Sequence, residues 1–307
     1  MKVATSIHEL IGETPLLEIT GFEMPIGTKI YAKLEFFNPG GSVKDRLGLE
    51  MIESALKEGK LKPGGTIIEP TAGNTGIGVA LACIKHQIKA IFVVPEKFSM
   101  EKQRLMAALG AEIVHTPTAL GMTGAIQKSE ELAKEMPDAY ILAQFSNPSN
   151  PRAYYKTLGP ELLQQLGKID VFVAGAGTGG TFTGTATYLK EQLPHVRTVI
   201  VEPEGSILNG GEAGSHDTEG IGLEFIPDFV DPALFDGIHT VSDEDAFRTI
   251  KELAQTCGVL VGSSSGSAFH GALIEARNAP PGSTIVTIFP DSGERYLSKD
   301  IYNYIKK

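Results

Sequence analysis

The sequence predicts an α/β fold, because short runs rich in β-branched residues alternate with helical patterns along almost the whole chain. Several of these runs are continuously apolar, as expected for parallel strands that are covered on both faces. The stretches between them are amphipathic, which is typical of helices that pack on a sheet. With 307 residues, the chain has the length of about two domains of roughly 150 residues each.

The predicted strands are, in chain order, Ile30–Leu34, Thr66–Glu69, Ala90–Val94, Glu112–His115, Val171–Ala174, Thr198–Glu202, Val259–Val261 and Thr284–Phe289. The clearest helical patterns are Val43–Glu58, Met100–Leu109, Gly121–Glu135 and Asp243–Cys257. Ser99 and Ser242 are candidate N-caps, and Asp245 follows Ser242 at the spacing of a capping box.

Two segments lack a helical or strand period. The polar stretch Phe145–Pro151 contains two Asn-Pro turn signals, which indicate a crossover between the two halves of the chain. The stretch Pro203–Asp236 is rich in Gly, Pro, Asp and Glu. Because it is long for a connection, we expect a functional loop there.

Composition excludes several classes of protein. The net charge of −10 and a pI of about 5.3 argue against a nucleic-acid binder. No apolar run approaches about 18 residues, and Met1–Gly12 lacks the apolar core of a signal peptide, so we expect a soluble, cytoplasmic protein. Cys83 and Cys257 lie outside any C-x-x-C motif, and the histidines form no paired motif, so no metal is expected. Cys83 lies among apolar residues and is interpreted as a buried structural thiol.

The segment Asn38-Pro39-Gly40-Gly41-Ser42-Val43-Lys44-Asp45-Arg46 places a lysine at a helix start, behind a turn of little side-chain bulk. A partly desolvated lysine there would have a lowered pKa and could form a Schiff base with an aldehyde. The structural alternative is an ordinary helix start, with Ser42 as N-cap and Asp45 in the first turn.

Glycine-rich turns follow three of the predicted strands. The turn Glu69–Gly78 offers backbone N–H groups at a helix start, with Thr71, Asn74 and Thr75 as hydrogen-bonding side chains, and would fit a carboxylate. The alternative is a plain turn capped by Thr75. The turn Gly175-Ala176-Gly177-Thr178-Gly179-Gly180-Thr181 predicts a cradle for a phosphate. Val261–Gly266 is a serine-rich helix start.

The phosphate cradle also satisfies a rival motif. Gly175, Gly177 and Gly180 match G-x-G-x-x-G, and Glu202 ends the next strand, so a nicotinamide-dependent oxidoreductase is a second hypothesis. That hypothesis leaves the Lys44 segment without a role. No Gly-Lys-Ser/Thr follows the turn, which excludes a P-loop, and no G-x-S-x-G elbow supports a serine hydrolase.

Taken in order, these segments resemble one family across nearly the whole chain. The Lys44 segment, the Thr71–Thr75 loop, the Gly177–Thr181 cradle, Gly262–Gly266 and Pro290-Asp291-Ser292-Gly293-Glu294-Arg295-Tyr296 all match its pattern. The family is the pyridoxal 5′-phosphate enzymes of fold type II that catalyse β-replacement, namely cysteine synthases and cystathionine β-synthases. The resemblance implies two open, twisted α/β domains like those of the tryptophan synthase β-subunit. It places a small mobile domain at 41–146 and a larger domain that binds the cofactor phosphate at 1–40 plus 147–307.

The resemblance implies a role for each matching residue. Lys44 would bind the cofactor as a Schiff base and then act as the base that takes the substrate Cα proton. Asn74 would bind the 3′-oxygen of the cofactor, and Ser264 would face its pyridine nitrogen. The cofactor phosphate would be held by Gly177, Thr178, Gly179, Gly180 and Thr181. The substrate carboxylate would be bound by Thr71, Ala72, Gly73, Thr75 and Gln144.

The expected reaction is β-replacement on O-acetyl-L-serine, or serine, through an aminoacrylate intermediate. A serine at the ring nitrogen makes the cofactor a weaker electron sink than an aspartate would, which suits loss of a β-leaving group. Ala72 replaces the serine that cysteine synthases carry in this loop.

Other segments resemble the short bacterial O-acetylserine-dependent cystathionine β-synthases. They are Pro95–Ser99, His115–Thr118 and Glu219-Gly220-Ile221-Gly222. Glu219 could attract the amino group of homocysteine, which would make L-cystathionine the product, and its alternative interpretation is a solvated loop carboxylate. Sulfide-dependent cysteine synthesis is the close alternative.

A nicotinamide oxidoreductase and a non-catalytic binding protein on the same fold stay as more distant classes. The expected partners are small amino-acid substrates, with no nucleic acid and no membrane, in a homodimer.

Overall fold

The computed structural model describes residues 3–71, 73–96 and 98–305. Ala72, one of the predicted carboxylate ligands, lies outside these residues. The strands are β1 (Leu16–Ile19), β2 (Lys29–Leu34), β3 (Thr66–Pro70), β4 (Lys89–Pro95), β5 (Glu112–Thr116), β6 (Ala139–Ile141), β7 (Val171–Gly175), β8 (Arg197–Pro203), β9 (Gly237–Val241) and β10 (Thr284–Phe289). The α-helices are α1 (Lys44–Lys57), α2 (Asn74–His86), α3 (Met100–Ala108), α4 (Gly121–Glu135), α5 (Ser149–Lys156), α6 (Leu158–Leu166), α7 (Gly180–Gln192), α8 (Asp243–Cys257) and α9 (Ser263–Asn278).

The chain divides into two compact units, of which the first comprises Met1–Ile11 and Asn38–Ala153. Its four-stranded sheet has the order β5-β4-β3-β6, and every neighbouring pair is parallel. Ile68, Val93 and Ala125 form a core between this sheet and α4. The carboxyl end of β3 leads directly into the Thr71–Thr75 loop, so the sheet positions that loop at the start of α2.

The second unit comprises Gly12–Phe37 and Tyr154–Lys307. Its sheet has the order β1-β2-β10-β7-β8-β9, and β1 is antiparallel to β2 while the other pairs are parallel. Phe269 of α9 packs edge-on against Phe289 of β10 inside the main core. β7 and β10 are central strands, and β7 leads into the glycine-rich turn before α7.

Most predicted elements are present, and the errors have local causes. The predicted strand Val259–Val261 is wrong, because only an isolated bridge joins Val261 to Ser292. The segment connects α8 to α9, and it is apolar because Val259 and Val261 are buried. Strands β1, β6 and β9 were not predicted. Each lies at a sheet edge and is only partly buried, so none has the continuous apolar run of an inner strand.

Two segment boundaries differ from the sequence expectation. Residues 3–11 group with the first unit, whereas the sequence places all of 1–40 with the larger domain. The buried ring of His8 explains this, because its Nε2 lies 2.7 Å from the Leu81 carbonyl oxygen of α2. The stretch Phe145–Pro151 is not wholly a crossover, since its last residues form the first turn of α5. The stretch between β8 and β9 contains only the short 3-10 helix Pro232–Leu234, in agreement with the long irregular loop predicted for Pro203–Asp236.

Across residues 3–71, 73–96 and 98–305, no helix is long and apolar enough to cross a membrane. Within the same part of the chain, no cluster of three or more His, Cys, Asp or Glu side chains could hold a metal ion.

Candidate active site

Lys44 is the first residue of α1 and is half-buried. The turn before it is closed by a hydrogen bond from the Gly41 N–H to the Asn38 carbonyl oxygen (2.7 Å). The buried carboxylate of Asp45 accepts the Gly40 N–H at 2.5 Å, and this hydrogen bond links the turn to the start of α1. A Cβ at position 40 would collide with that carboxylate, which explains the glycine.

Ser42 is not the N-cap of α1, contrary to the structural alternative. The N-cap is Val43, whose backbone is already helical. Ser42 nevertheless contributes, because its hydroxyl oxygen accepts the Lys44 N–H at 3.3 Å. The lysine backbone is thus fixed by the residue two positions before it.

Two glycines bring α1 unusually close to α2. A Cβ on Gly78 would lie less than 3.0 Å from the carbonyl group of Lys44, and a Cβ on Gly48 would collide with the Gly78 carbonyl. Real Cβ atoms do not approach backbone atoms so closely, so both positions require glycine. The contact places the Lys44 backbone beside α2, about one turn from Asn74 at its start.

The predicted carboxylate loop ends at α2, whose N-cap is Gly73. The interpretation of Thr75 as a capping residue is wrong, because its hydroxyl donates to the Gln144 Oε1 at 2.8 Å. Thr71 is buried, and its Oγ1 accepts the Gly73 N–H at 3.4 Å. The space where Gly73 would carry a Cβ is open, which leaves room for a ligand at this helix start.

Gln144 is joined to this loop by the hydrogen bonds of its side-chain amide. It is buried, and its Nε2 donates to the Pro70 carbonyl oxygen at 3.4 Å. Its own N–H donates to the carboxylate of Glu69 at 3.2 Å. Glu69 is fully buried, and burial raises the pKa of its carboxyl to about 7 against the lowering effect of the Gln144 and Ala143 N–H groups. No sequence pattern had singled out Glu69.

The second unit contains the predicted phosphate cradle between β7 and α7. Gly179 is the N-cap of α7 and has a φ of +82°, which only glycine adopts easily. Thr178 Oγ1 accepts the Gly180 N–H at 3.4 Å, and Thr178 and Thr181 are buried. Residues 175–181 carry no charged side chain, so the cradle offers hydroxyl and amide donors at a helix N-terminus.

The walls of the cradle come from the long irregular loop. A Cβ on Gly177 would collide with the Gly220 carbonyl oxygen, and a Cβ on Gly179 would collide with Val230. The Gly222 N–H donates to the Ala176 carbonyl oxygen at 2.8 Å. The glycines therefore serve two purposes, since they open the cradle and let the loop pack against its outer side.

Ser264 lies in the first turn of α9, is buried, and is next to the same loop. Its Oγ lies 3.8 Å from the Cβ position of Gly220. The preceding turn is fixed by Asp291, whose carbonyl oxygen accepts the Gly262 N–H at 3.3 Å and whose carboxylate accepts the Tyr296 hydroxyl. The segment Pro290–Tyr296 thus supports the helix start that carries Ser264.

Glu219 is not a freely solvated loop carboxylate. Its side chain is 26% exposed, and its Oε1 lies 2.5 Å from the Nζ of Lys299. Its N–H donates to the Ser263 hydroxyl at 3.0 Å. Glu219 is therefore attached to the start of α9, one residue before the loop position that faces Ser264.

Glu202 has a structural function that conflicts with the dinucleotide hypothesis. Its buried carboxylate accepts the N–H groups of Leu208 (2.9 Å) and Asn209 (3.0 Å). A ribose-binding acid must keep its oxygens for the ligand. The side chain instead anchors the start of the long loop.

Comparisons with known proteins identify the family of the chain. A family model described as "Pyridoxal-phosphate dependent enzyme" matches residues 7–291. The chain belongs to this family. The O-acetylserine dependent cystathionine beta-synthase of Bacillus subtilis (strain 168) is 61% identical over 303 residues, covering 98% of this chain and 99% of that protein. A cysteine synthase of Helicobacter pylori (strain ATCC 700392 / 26695) is 57% identical over 305 residues, covering 98% of this chain and all of that protein.

A solved structure has the same fold as this chain. The crystal structure of O-acetylserine dependent cystathionine beta-synthase from Helicobacter pylori has a TM-score of 0.95 and 57% identity, and it covers 98% of this chain and 100% of that chain. The fold class and the family resemblance are confirmed. The protein is a pyridoxal-phosphate-dependent enzyme of the cysteine synthase and cystathionine β-synthase type, and its cofactor is pyridoxal 5′-phosphate.

The residues present fit this cofactor. Side chains at Gly177 or Gly179 would fill the space of the cradle or push its walls apart. Uncharged amide and hydroxyl donors at the start of α7 match a phosphate monoester. In the first unit, the Lys44 side chain at the start of α1 is a primary amine, the group with which an aldehyde cofactor reacts. In the second unit, Ser264 offers a buried, neutral hydroxyl at the start of α9.

The sequence did not predict the residues that position the candidate site through packing or hydrogen bonds. Glu69 could have been noticed as a carboxylate within the apolar strand β3, directly before the Thr71–Thr75 loop. Val230 gave no signal, because an apolar residue in an irregular loop has no period to interpret. Gly48 and Gly78 could have been noticed as glycines inside helical patterns.

Proposed function

We propose that this enzyme catalyses β-replacement on O-acetyl-L-serine, with homocysteine as the thiol and L-cystathionine as the product. The relative from Bacillus subtilis carries that donor and that class of product in its name. The observation that carries the proposal is the contact between Gly78 of α2 and the Lys44 backbone, because it places this lysine residue beside the helix whose start we assign to the substrate carboxylate.

The first unit would bind and orient the amino-acid substrate. Thr71, Gly73, Thr75 and Gln144 lie at the start of α2, where backbone N–H groups and neutral side chains favour a carboxylate. Ala72 would contribute through the same loop. Asn74, as the first residue of α2, would bind the 3′-oxygen of the cofactor.

The second unit would hold the cofactor phosphate in the cradle Gly177–Thr181 and face its ring nitrogen with the Ser264 hydroxyl. When bound, the cofactor withdraws electrons from the substrate Cα, and this allows the acetoxy group to leave from Cβ. Lys44 would take the Cα proton at its Nζ and later return a proton to Cα.

Glu219 supports homocysteine over sulfide as the thiol. An ammonium group, that of Lys299, reaches this carboxylate at 2.5 Å, and the amino group of homocysteine would take its place. Homocysteine carries an amino group and sulfide does not. Lys299 is 55% exposed, so it can leave Glu219 without disturbing a core contact.

The acceptor is tested by comparing kcat/KM for homocysteine and sulfide at saturating O-acetyl-L-serine. We expect wild-type protein to favour homocysteine. Glu219→Gln should lower kcat/KM for homocysteine about tenfold, the effect of about 1.5 kcal/mol for a hydrogen bond to a charged group, and leave the value for sulfide unchanged.

Two variants serve as controls for this comparison. Glu224→Gln changes an exposed carboxylate of the same loop and should alter neither value. Lys299→Met removes the competing ammonium and should maintain or raise kcat/KM for homocysteine. If Glu219→Gln lowers both values equally, or neither, the amino-group contact is refuted.

Cysteine synthesis from sulfide is the second candidate, because the relative from Helicobacter pylori is named a cysteine synthase at 57% identity. A wild-type kcat/KM that is higher for sulfide would establish it. The homodimer that the resemblance implies and the cytoplasmic location expected from the sequence also stay proposals, and sedimentation of the purified protein tests the first.

A further inference from the structure

The carboxylate of Glu69 lies where the pairing of β3 with β6 ends. The last paired residues of the two strands are Ile68 and Ile141. Beyond them a turn begins at Ala143, which has a φ of +56° although it is not glycine. An alanine in this left-handed conformation costs about 1–2 kcal/mol, so the surrounding structure must hold it there.

Glu69 provides that restraint. Its Oε2 accepts the Ala143 N–H at 2.9 Å, and its Oε1 accepts the Gln144 N–H at 3.2 Å. A fully buried carboxylate is costly unless such donors satisfy it, so the two N–H groups and the carboxylate depend on each other. The Ser146 and Asn147 N–H groups also close the turn on the Ala143 carbonyl oxygen, at 3.0 and 2.9 Å, so Glu69 is one of several restraints and the one that ties the turn to β3.

The Ala143–Gln144 turn also determines the position of the Gln144 side chain. Its amide bridges the end of β3, at the Pro70 carbonyl oxygen, and the first turn of α2, at the Thr75 hydroxyl. The Gln144 carbonyl oxygen accepts the Asn150 Nδ2 at 2.7 Å, which fixes the backbone from the other side. The amide thus spans the two ends of the loop from residue 71 to residue 75.

We propose that Glu69 is a positioning residue for the substrate-carboxylate loop, which acts through the Ala143–Gln144 turn on the side chain of Thr75. The inference rests on the proposed function, because it takes that loop as the binding site for an amino-acid carboxylate. Glu69 itself is fully buried in β3, so it would act through the turn and not by direct contact with a substrate. Its two buried carboxyl oxygens hold the Ala143 and Gln144 N–H groups in place.

The obvious test variant is Glu69→Gln, which keeps the shape of the side chain. Its NH₂ group would face one of the two backbone N–H groups, so one hydrogen bond to a carboxylate is lost and two donors oppose each other. We expect the Kd for L-alanine, an amino acid without a β-leaving group, to rise about 10- to 100-fold. The change in visible absorption of the holoenzyme on adding L-alanine measures this Kd.

Glu202→Gln is the matched control. Glu202 is also a buried glutamate near the end of a strand whose carboxylate accepts two consecutive backbone N–H groups. We expect a comparable loss of Tm in both variants. The Kd for L-alanine should stay within about twofold of wild type in Glu202→Gln, because this carboxylate holds the Leu208 and Asn209 N–H groups and not the Ala143–Gln144 turn.

Two double variants separate positioning from general destabilisation. In a Thr75→Val background, Glu69→Gln should raise the Kd no further, because the route through Thr75 is already removed. Adding Ala143→Gly to Glu69→Gln should restore part of the affinity, since glycine adopts the left-handed turn without the restraint.

Wild-type protein offers a test that needs no variant to fold. Binding is reciprocal, so L-alanine at the loop should slow hydrogen exchange of the Ala143 and Gln144 amides and leave those of Leu208 and Asn209 unchanged. The proposal is overturned if protection at 143 and 144 does not change, or if folded Glu69→Gln binds L-alanine like wild type. An enzyme that binds L-alanine but converts O-acetyl-L-serine with neither thiol contradicts the proposed function and leaves this test valid.

Discussion

Replacing Gly78 by alanine should separate the amine of the site from the helix that orients it. The new Cβ would lie within 3.0 Å of the Lys44 carbonyl carbon and oxygen, which belong to the backbone of α1. Overpacking of this kind costs about 3 kcal/mol when the neighbour cannot yield, and the better helix propensity of alanine returns about 1 kcal/mol. We therefore expect a net loss of about 2 kcal/mol and a displacement of Lys44.

The assay combines urea unfolding with turnover. Because a shift of about 1 Å at a reacting group costs up to about 100-fold in rate, kcat should fall about 10- to 100-fold in Gly78→Ala. Gly214→Ala is the control, since this glycine is exposed and its Cβ would lie 3.5 Å from the Gly205 Cα, an ordinary van der Waals contact. The reasoning is refuted if Gly78→Ala unfolds at the wild-type urea concentration and keeps its kcat.

Three further predictions follow from buried or strained groups. Gly179→Ala should lower cofactor retention on gel filtration by about tenfold or more, because position 179 has a φ of +82°, and unchanged retention would contradict the cradle. Burial raises the pKa of the Cys83 thiol to about 12, so this thiol should react with a disulfide reagent at pH 8 only after the protein unfolds. Rapid modification of Cys83 in the native protein would disprove its burial. Burial opposes ionisation of Glu275, but hydrogen bonds from His239 and Arg197 outweigh it and lower its pKa from 4.5 to about 2. The stability from this ionised group is present above about pH 4.5 and is lost as the pH falls toward 2. Glu275→Gln should therefore lower the free energy of unfolding by about 2 kcal/mol at pH 7 and by much less near pH 2. An equal loss at both pH values would refute the coupling.

The inner elements were predictable because their physical signals are local. Asp243–Cys257 has a clear helical period and a Ser242 cap, and the structure shows that cap with the Asp245 N–H donating to Ser242 at 3.1 Å. The glycine-rich turns were visible for a similar reason, since close approach and positive φ require glycine at defined positions. Gly179 is the clearest case.

The parts that were not predictable depend on tertiary contacts. Strand β6 is three half-buried residues long, and only its pairing with β3 defines it. The function of Glu69 requires that the turn at Ala143 lies beside β3, although about 70 residues separate them in sequence. No period or motif within a single segment encodes such a contact.

The assignment of the nucleophilic amine to Lys44 is tested most directly by borohydride reduction of the holoenzyme, followed by peptide mass mapping. The account predicts loss of the visible absorption band and a phosphopyridoxyl group on the peptide that contains Lys44, with no labelled peptide from Lys44→Ala. A phosphopyridoxyl group on another lysine, with Lys44 unmodified, would contradict it.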